Sequence, residues 1–408
     1  MCASQDRSTP GGQGVRDSWA SPLLLSPKSP GQGQVFSWGL NSHGQLGLGK
    51  GVPLQPTPAL VRSLTGVPVT QVAAGGTHTL ALTLPGLVYC CGANRAGQLG
   101  LNRSLSGIPL AQITAGGDHS FALTLSGAVF SWGKNSTGNI IGKLEGLGAV
   151  VSVACGQDHS VAVCESGQVY SWGAGGEGQL GITPTTVSKV PRPRKPTLNI
   201  LSLTVFLSDC NSASHHTLVL GSSGQLWAFG SGVKGQLGTG NTEGCLRPTS
   251  VLLKRTFKIK LHLSHTLTMQ HVSCEISYVQ MLFYLPLDGN VFTWGQNSSG
   301  QLGLGKGEPS TLSPKPLKSL SGIPLAQITA GGDHSFALTL SGAVFSWGKN
   351  STGQLGLGDT IAPVDCLNLK KTITVSCGVE HTAVLTKVLT FFTQQYFQLI
   401  LCFYSQYH

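Results

Sequence analysis

The sequence predicts an all-β chain, a seven-bladed propeller, on three observations. A unit of about fifty residues recurs along it. Each copy carries short stretches of alternating apolar residues set about a tight turn pair. Glycine fills 56 of 408 positions, about twice its usual share, and without the every-third-residue spacing of collagen. Units of this length that read as short strands are propeller blades, and no amphipathic helix is needed to account for any of them.

Residues 1–34 precede the first copy. Their one apolar run, Leu23-Leu24-Leu25 among Ser, Pro and Gly, is too brief for a signal-peptide core, so they read as a disordered leader. The propeller is expected over residues 35–386, with repeats at about 35–84, 88–125, 129–163, 169–220, 226–285, 291–340 and 344–386. An aromatic-glycine pair marks them at Trp38-Gly39, Trp132-Gly133, Trp172-Gly173, Phe229-Gly230, Trp294-Gly295 and Trp347-Gly348, with Cys91-Gly92 as a substituted copy. The second mark is Gly-x-x-His before an apolar alternation, at His78, His119, His159, His334 and His381, loosely at His216, and degraded around Tyr278. From Ser335 to Trp347 the two marks frame a hairpin. Phe336, Leu338 and Leu340 alternate with smaller or polar residues, Ser341-Gly342 turns the chain, and Phe345 and Trp347 continue the pattern. The aromatic and histidine positions are therefore expected to be structural anchors, the tryptophans in the core and the histidines each bonding a neighbouring backbone.

The second and third repeats take about 40 residues each where complete ones take about 53, so blades 2 and 3 are expected to be shortened. The third also has Asn139-Ile140-Ile141 in place of Gln-Leu-Gly, and the fifth loses its histidine mark, which makes blade 5 degenerate. Residues 104–138 and 319–353 are identical, as a recent duplication or a faulty gene prediction would leave them. Residues 387–408 form an unrelated apolar tail. Gln394, Gln395 and Gln398 interrupt it, and it falls short of the roughly 20 residues a spanning helix needs.

The net charge is +10, from 26 Lys and Arg against 16 Asp and Glu, but it is scattered, with no basic stripe interleaved with aromatics. That leaves no basis for specific nucleic-acid binding. The eleven cysteines contain no C-x-x-C, which suits a reducing compartment, the cytoplasm, better than a disulfide or zinc framework. The run from Lys189 to Lys195 could serve as a nuclear address but reads first as a Pro-rich loop, while Lys254, Arg255, Lys258 and Lys260 read as one solvated strand face.

The runs SWGKNSTGQLGLG and AGGDHSFALTLSG resemble the repeat of the regulator of chromosome condensation family, and the likeness extends over residues 35–386. That resemblance implies a seven-bladed propeller, and the phrase GIPLAQITAGGDHSFALTLSG is most similar to the propeller that precedes the HECT domain in small ubiquitin or ubiquitin-like ligases. It implies a non-catalytic protein-binding chain, since the residues after Thr386 are too few for a HECT domain and its thioester cysteine. Protein partners are implied, either ubiquitination substrates or a small GTPase; no membrane partner is expected, and a monomer is. Family members that exchange nucleotide on the GTPase Ran present acidic residues to it, and the positions here are Asp118, Asp158 and Asp333, each just before a histidine. Turn chemistry gives these aspartates a plainer role as backbone caps.

No cofactor or metal is expected. Residues 44–51 and 300–307 approach the phosphate-loop template, but Gly51 and Gly307 stand where it needs a hydroxyl, and the glycines fit a loop of positive φ. Histidines placed one to a blade cannot converge on one ion. Cys155 and Cys377 stand where other copies have Ala, as small buried hydrophobes do.

Overall fold

A computed structural model describes residues 33–387, apart from residues 50, 101–104, 106, 135–141, 183–188, 195–208, 213–214, 221–224, 254–270, 274–280, 286–289, 306, 358–363, 365–366 and 368–369. The leader, the tail beyond Lys387, the substitution at residues 139–141 and the basic run at 254–260 therefore lie outside the described residues. The described chain is strands and turns, with single 3-10 turns at Arg62–Leu64 and Lys318–Leu320.

Seven antiparallel sheets follow one another. β1 (Gly33–Leu40) and β2 (Leu54–Leu60) open the chain and are completed only by its last strands. Blade 2 holds β3 (Val69–Ala74), β4 (His78–Thr83) and β5 (Val88–Gly92). Blade 3 holds β6 (Leu110–Ala115), β7 (His119–Thr124), β8 (Val129–Gly133) and a two-residue β9 (Gly142–Lys143). Blade 4 holds β10 (Val150–Cys155), β11 (His159–Cys164), β12 (Val169–Ala174) and β13 (Lys189–Arg194). Blade 5 holds β14 (Asp209–Ser212), β15 (His216–Leu220), β16 (Leu226–Gly230) and β17 (Cys245–Ser250). Blade 6 holds β18 (His271–Ser273), β19 (Met281–Leu285), β20 (Phe292–Gly295) and β21 (Thr311–Pro316). Blade 7 holds β22 (Leu325–Ala330), β23 (His334–Thr339) and β24 (Val344–Gly348) among the described residues. Finally β25 (Lys371–Cys377) and β26 (His381–Lys387) join β1 and β2 as blade 1, in the order β2-β1-β26-β25.

Each sheet thus draws on two successive sequence repeats. The first and last repeats share blade 1, where Gly33 pairs with Lys387 and Gly39 with His381. Proline stands in the outermost strands, at Pro56 and Pro58 in β2, Pro191 and Pro193 in β13, and Pro314 and Pro316 in β21. An edge strand tolerates the missing N–H, and proline there discourages pairing with another chain. The stretch from Lys189 is therefore a strand rather than the loop its prolines suggest.

The core is a ring of wedges between blades. Val35 and Ala383 of blade 1 meet Val72 and Ala81 of blade 2, Leu82 and Val88 meet Ile113 and Trp132, Phe121 and Val129 meet Val153 and Trp172, and Val161 meets Val219 and Phe229. Blades 5, 6 and 7 share one cluster, and Phe336 and Leu338 of blade 7 meet Phe36 and Trp38. Each blade packs on two neighbours, so its second strand is buried on both faces: β4, β7, β11 and β23 are buried throughout. The hairpin from Ser335 to Trp347, whose alternation calls for burial on at least one face, is buried on both along β23. Leu340 itself lies beyond β23 and is exposed.

Aromatic edges tie the seams, with ring centroids 5.9 Å apart for Trp38 and Phe336, 5.6 Å for Phe121 and Trp172, and 5.8 Å for Phe283 and Trp347. Trp294 is fully buried, whereas Trp347 is half-buried against the core of blades 5 to 7. Trp294→Ala is expected to cost about 3 to 5 kcal/mol and Trp347→Ala clearly less. Urea denaturation of the two variants checks the ordering.

Candidate protein-interaction face

One face of the ring is built from the turns between first and second strands, Gly-Gly-x-His in blades 2, 3 and 7 and Gly-x-x-His in blades 1 and 4. The turn is tight: the amides of Gly75, Gly331 and Gly378 each donate to the carbonyl of the histidine three residues on, at 2.7 Å. A Cβ on any of these glycines would overlap the imidazole it faces. Glycine is required there by the ring packed on it.

The histidines reach across to the next blade. Nε2 of His78 lies 2.9 Å from Ser120 Oγ, that of His119 3.1 Å from Ser160 Oγ, and that of His159 2.9 Å from Thr217 Oγ1. His381 meets Thr79 at 3.0 Å and His334 meets Thr382 at 3.4 Å. The side-chain partner is a hydroxyl, and at His159 and His381 the backbone of the next blade's own histidine, His216 and His78, also contributes, as a bond to a neighbouring backbone requires. Each hydroxyl belongs to the residue after the next blade's own histidine, a position that side-chain burial alone does not single out. Thr79 donates its proton to the Gln45 carbonyl at 2.8 Å, and Ser120 does so to Gln98 at 2.9 Å. These hydroxyls must therefore accept from the histidine, which places the imidazole proton on Nε2. The same carbonyls take the indole N–H: Trp132 donates to Gln98 at 2.8 Å, Trp347 to Gln301 at 2.8 Å and Trp38 to Gln354 at 2.9 Å. Cys91 Sγ stands in for an indole on the Gln45 carbonyl at 3.3 Å.

Burial holds these rings neutral. Desolvation lowers His78, His159, His216 and His334 from 6.5 to about 3, and His119 and His381 to about 4. At His119 the Asp158 carboxylate partly offsets that burial.

The circuit is interrupted at blade 6. His216 pairs with Gly230 as the other histidines pair with their glycines, so it is a full member of the series and not a loose one. Met281 pairs with Gly295 in the same way and is the seventh position, three residues after the Tyr278 around which the degraded mark was placed. Leu282 follows it where a hydroxyl stands elsewhere, and both ring nitrogens of His216 are buried without a hydrogen bond.

Before each histidine lies the outer rim of this face. Asp118, Asp158 and Asp333 are there, on blades 3, 4 and 7, and all are half-buried. Glu380, on blade 1, joins them. Sequence reading passed over it because Val379 and Glu380 replace the Gly-Asp of the clearest copies, although its spacing from His381 was the available signal. Four carboxylates thus lie along blades 7, 1, 3 and 4, with Thr77 on blade 2. Their backbone carbonyls are fixed, those of Asp118 and Asp333 by the amides of Lys134 and Lys349 at 2.8 Å. Their side chains bond other side chains. Lys134 lies 3.0 Å from Asp158, Lys349 4.0 Å from Asp333, and the amides of Gln98 and Gln301 donate to Asp118 and Asp333 at 3.4 Å. Among the described residues none of these three aspartates caps a backbone N–H, contrary to the turn-cap expectation. Such exposed ion pairs are worth about 1 kcal/mol or less, so a partner's cation can displace the lysine at little cost.

The glycine runs at residues 44–51 are loops. Gly44, Gly47, Gly49 and Gly51 all have positive φ, and a strand, β2, follows where a phosphate loop needs a helix. Among the described residues no three His, Cys, Asp or Glu side chains gather as a metal site.

Residues 34–384 match the family described as the RCC1-like domain. Over 382 residues, 91% of this chain, the sequence is 32% identical to mouse E3 ubiquitin-protein ligase HERC2, covering 7% of that protein. It is 60% identical over 108 residues to human probable E3 ubiquitin-protein ligase HERC3, 25% of this chain and 10% of that one. The chain spans about a tenth or less of the length of these two relatives. Among solved structures, Prp20p of Saccharomyces cerevisiae superposes with a TM-score of 0.72 at 22% identity, over 88% of this chain and 92% of that one; it was described with its binding properties to Gsp1p and histones.

Proposed function

Because the chain belongs to the family of RCC1-like domains, we propose that it is a non-catalytic protein-recognition propeller, serving as the substrate-binding part does in a ubiquitin ligase of the HERC kind. The observation that carries this reading is the acidic rim. Asp118, Asp158, Asp333 and Glu380 project from turns that the histidine latches hold rigid, and the carboxylates of the three aspartates make, among the described residues, only weak bonds to side chains that a partner can replace. A rim of this charge on a chain of net charge +10 selects a basic patch on a protein partner.

The test is quantitative capture from cell extract by the full chain and by Asp118→Lys/Asp158→Lys/Asp333→Lys. Partners identified by mass spectrometry are expected to bind the variant at least about tenfold more weakly, with the loss shrinking as salt rises. Capture equal in the two proteins would sink the assignment. Accelerated GDP release from a Ran-like GTPase, abolished in the variant, would instead make the same rim an exchange-factor surface.

A further inference from the structure

Two sets of ties between blades run round the inner part of the ring, and both stop at blade 6. The first is the histidine latch, which five seams carry, from blade 7 through blades 1, 2, 3 and 4 to blade 5. The second is an amide clamp on the innermost strands. Gln71 of blade 2 accepts from the Ile113 N–H of blade 3 at 2.9 Å and donates to the same residue's carbonyl at 3.0 Å. Gln327 of blade 7 does likewise with Val375 of blade 1, at 3.0 Å and 2.9 Å, and Gln112 of blade 3 donates to the Val153 carbonyl of blade 4 at 3.4 Å. Between blades 1 and 2, Ser376 Oγ accepts from the Ala74 N–H at 2.9 Å instead.

Blade 6 breaks both by residue type. Each latch hydroxyl stands opposite the residue before the glycine, as Thr217 does opposite Phe229 and Ser120 opposite Trp132, and the same register puts Leu282 opposite Trp294. A leucine cannot accept from His216, whose ring is buried with neither nitrogen bonded. Met281 holds the histidine's place opposite Gly295, and a thioether has no proton to donate to blade 7. The clamp position lies opposite Leu82 for Gln71 and opposite Leu338 for Gln327; in blades 5 and 6 Asp209 and His271 hold it, opposite Leu220 and Leu285. A carboxylate has nothing to donate, and an imidazole sets its donor and acceptor on opposite edges, so neither residue type makes the two-way clamp. Blade 6 keeps ties on its outer strands β20 and β21, where the Trp294 indole donates to the Gln236 carbonyl at 3.1 Å and the Gly240 N–H to that of Leu312 at 2.9 Å. Parting the inner strands would return the stranded His216 ring to water, which lowers the cost of opening there and nowhere else in the latch series. We propose that the ring opens at blade 6, its inner strands parting from blades 5 and 7 about a hinge of outer contacts, while blades 7, 1, 2, 3, 4 and 5 stay together as a latched arc. Asp118, Asp158, Asp333 and Glu380 all stand on that arc, so the opening holds whether or not the acidic rim binds the partner assigned to it.

Hydrogen exchange on the full chain, read by mass spectrometry, tests it. In the wild type, peptides covering β19 and β20 are expected to exchange at least about tenfold faster than those covering β7 and β8, the same hairpin in a fully latched blade. Leu282→Thr supplies the missing hydroxyl. It is expected to slow β19 and β20 at least about tenfold and leave β7 and β8 unchanged, and the slowing is expected to vanish in His216→Leu/Leu282→Thr, where no imidazole is left to meet it. Equal protection of the two hairpins in the wild type would overturn the proposal, as would a slowing that is absent or that survives His216→Leu. Exchange of β19 and β20 at the free-peptide rate would overturn it too, since an unfolded blade has no seam to open. A reciprocal variant keeps the test open should Leu282→Thr fail to fold. Thr217→Val carries the fault to the seam between blades 4 and 5 and is expected to quicken β11 and β12 at least about tenfold; an unchanged rate there would reject the latch as what holds the seams closed.

Discussion

Acidification from pH 7.5 to pH 5 is expected to remove most of the stability of the ring. Six imidazoles that titrate near 6.5 when the chain is unfolded are held by burial at about 3 or about 4 when it is folded. Between those values the unfolded chain binds more protons. Stability is therefore complete above pH 6.5 and is lost as the pH falls toward 4 and then 3. At pH 5 each ring contributes a loss of about 2 kcal/mol, so six contribute about 12 kcal/mol, comparable to the whole stability of a typical domain. Urea denaturation at pH 7.5, 6.5 and 5 should show a small fall in midpoint at 6.5, where six half-protonated unfolded-state rings together cost about 2 kcal/mol, and a collapse by 5. A midpoint at pH 5 equal to that at 7.5 would mean that the rings are not buried as neutral imidazoles. His216→Leu sharpens the test. That ring has no hydrogen bond to lose, so the variant should forfeit about 2 kcal/mol less on acidification than the wild type.

Gly39→Ala is expected to open blade 1, at a cost above about 4 kcal/mol. Gly39 has φ of 104°, a region closed to side chains, and an added Cβ would lie 2.7 Å from the Cα of His381 and overlap the Glu380 carbonyl. Those neighbours are backbone, which cannot swing aside. The position also sits in the register that joins the first strand to the last, Gly39 opposite His381. Gly44→Ala is the matched control, since Gly44 has φ of 78° with nothing within 4 Å of the added atom. It carries only the conformational penalty, about 1 to 2 kcal/mol. Equal denaturation midpoints for the two variants would show that contact with the histidine turn does not govern closure.

The repeat and its anchors were legible because they are local. Gly-x-x-His and the glycine of the aromatic-glycine pair lie fourteen residues apart on one hairpin, as His334 and Gly348 do, and glycine at a φ the other residues avoid leaves a visible mark in composition. What joins the blades was not legible. The hydroxyl that His78 meets is on Ser120, and the carbonyl that Trp38 meets is on Gln354, 316 residues away. No pattern in one repeat announces a partner in the next. Met281 was missed for a related reason, since a histidine search cannot find the position once the histidine is gone, whereas pairing with Gly295 locates it. In β13, Pro191 and Pro193 argued for a loop because proline is scarce inside sheets, but the strand lies at a blade's edge, where that argument weakens. On the candidate face the three aspartates were implied by the resemblance to family members that present acidic residues in Gly-x-Asp-His turns, while Glu380 needed the ring to place it beside them.

Blade 1 also sets a clock on biosynthesis. β1 leaves the ribosome well before β26, the last described strand, yet Phe36 must pair with Val384 and Trp38 with Thr382. At about 5 to 20 residues per second, the intervening chain takes roughly 20 to 70 seconds to synthesise. For that interval Val35, Phe36 and Trp38, all buried in the finished ring, belong to an unclosed sheet in which β1 has β2 on one side and still lacks β26 on the other. The period in which β1 can pair wrongly, and in which a chaperone would be needed to shield it, is therefore fixed by the rate of translation.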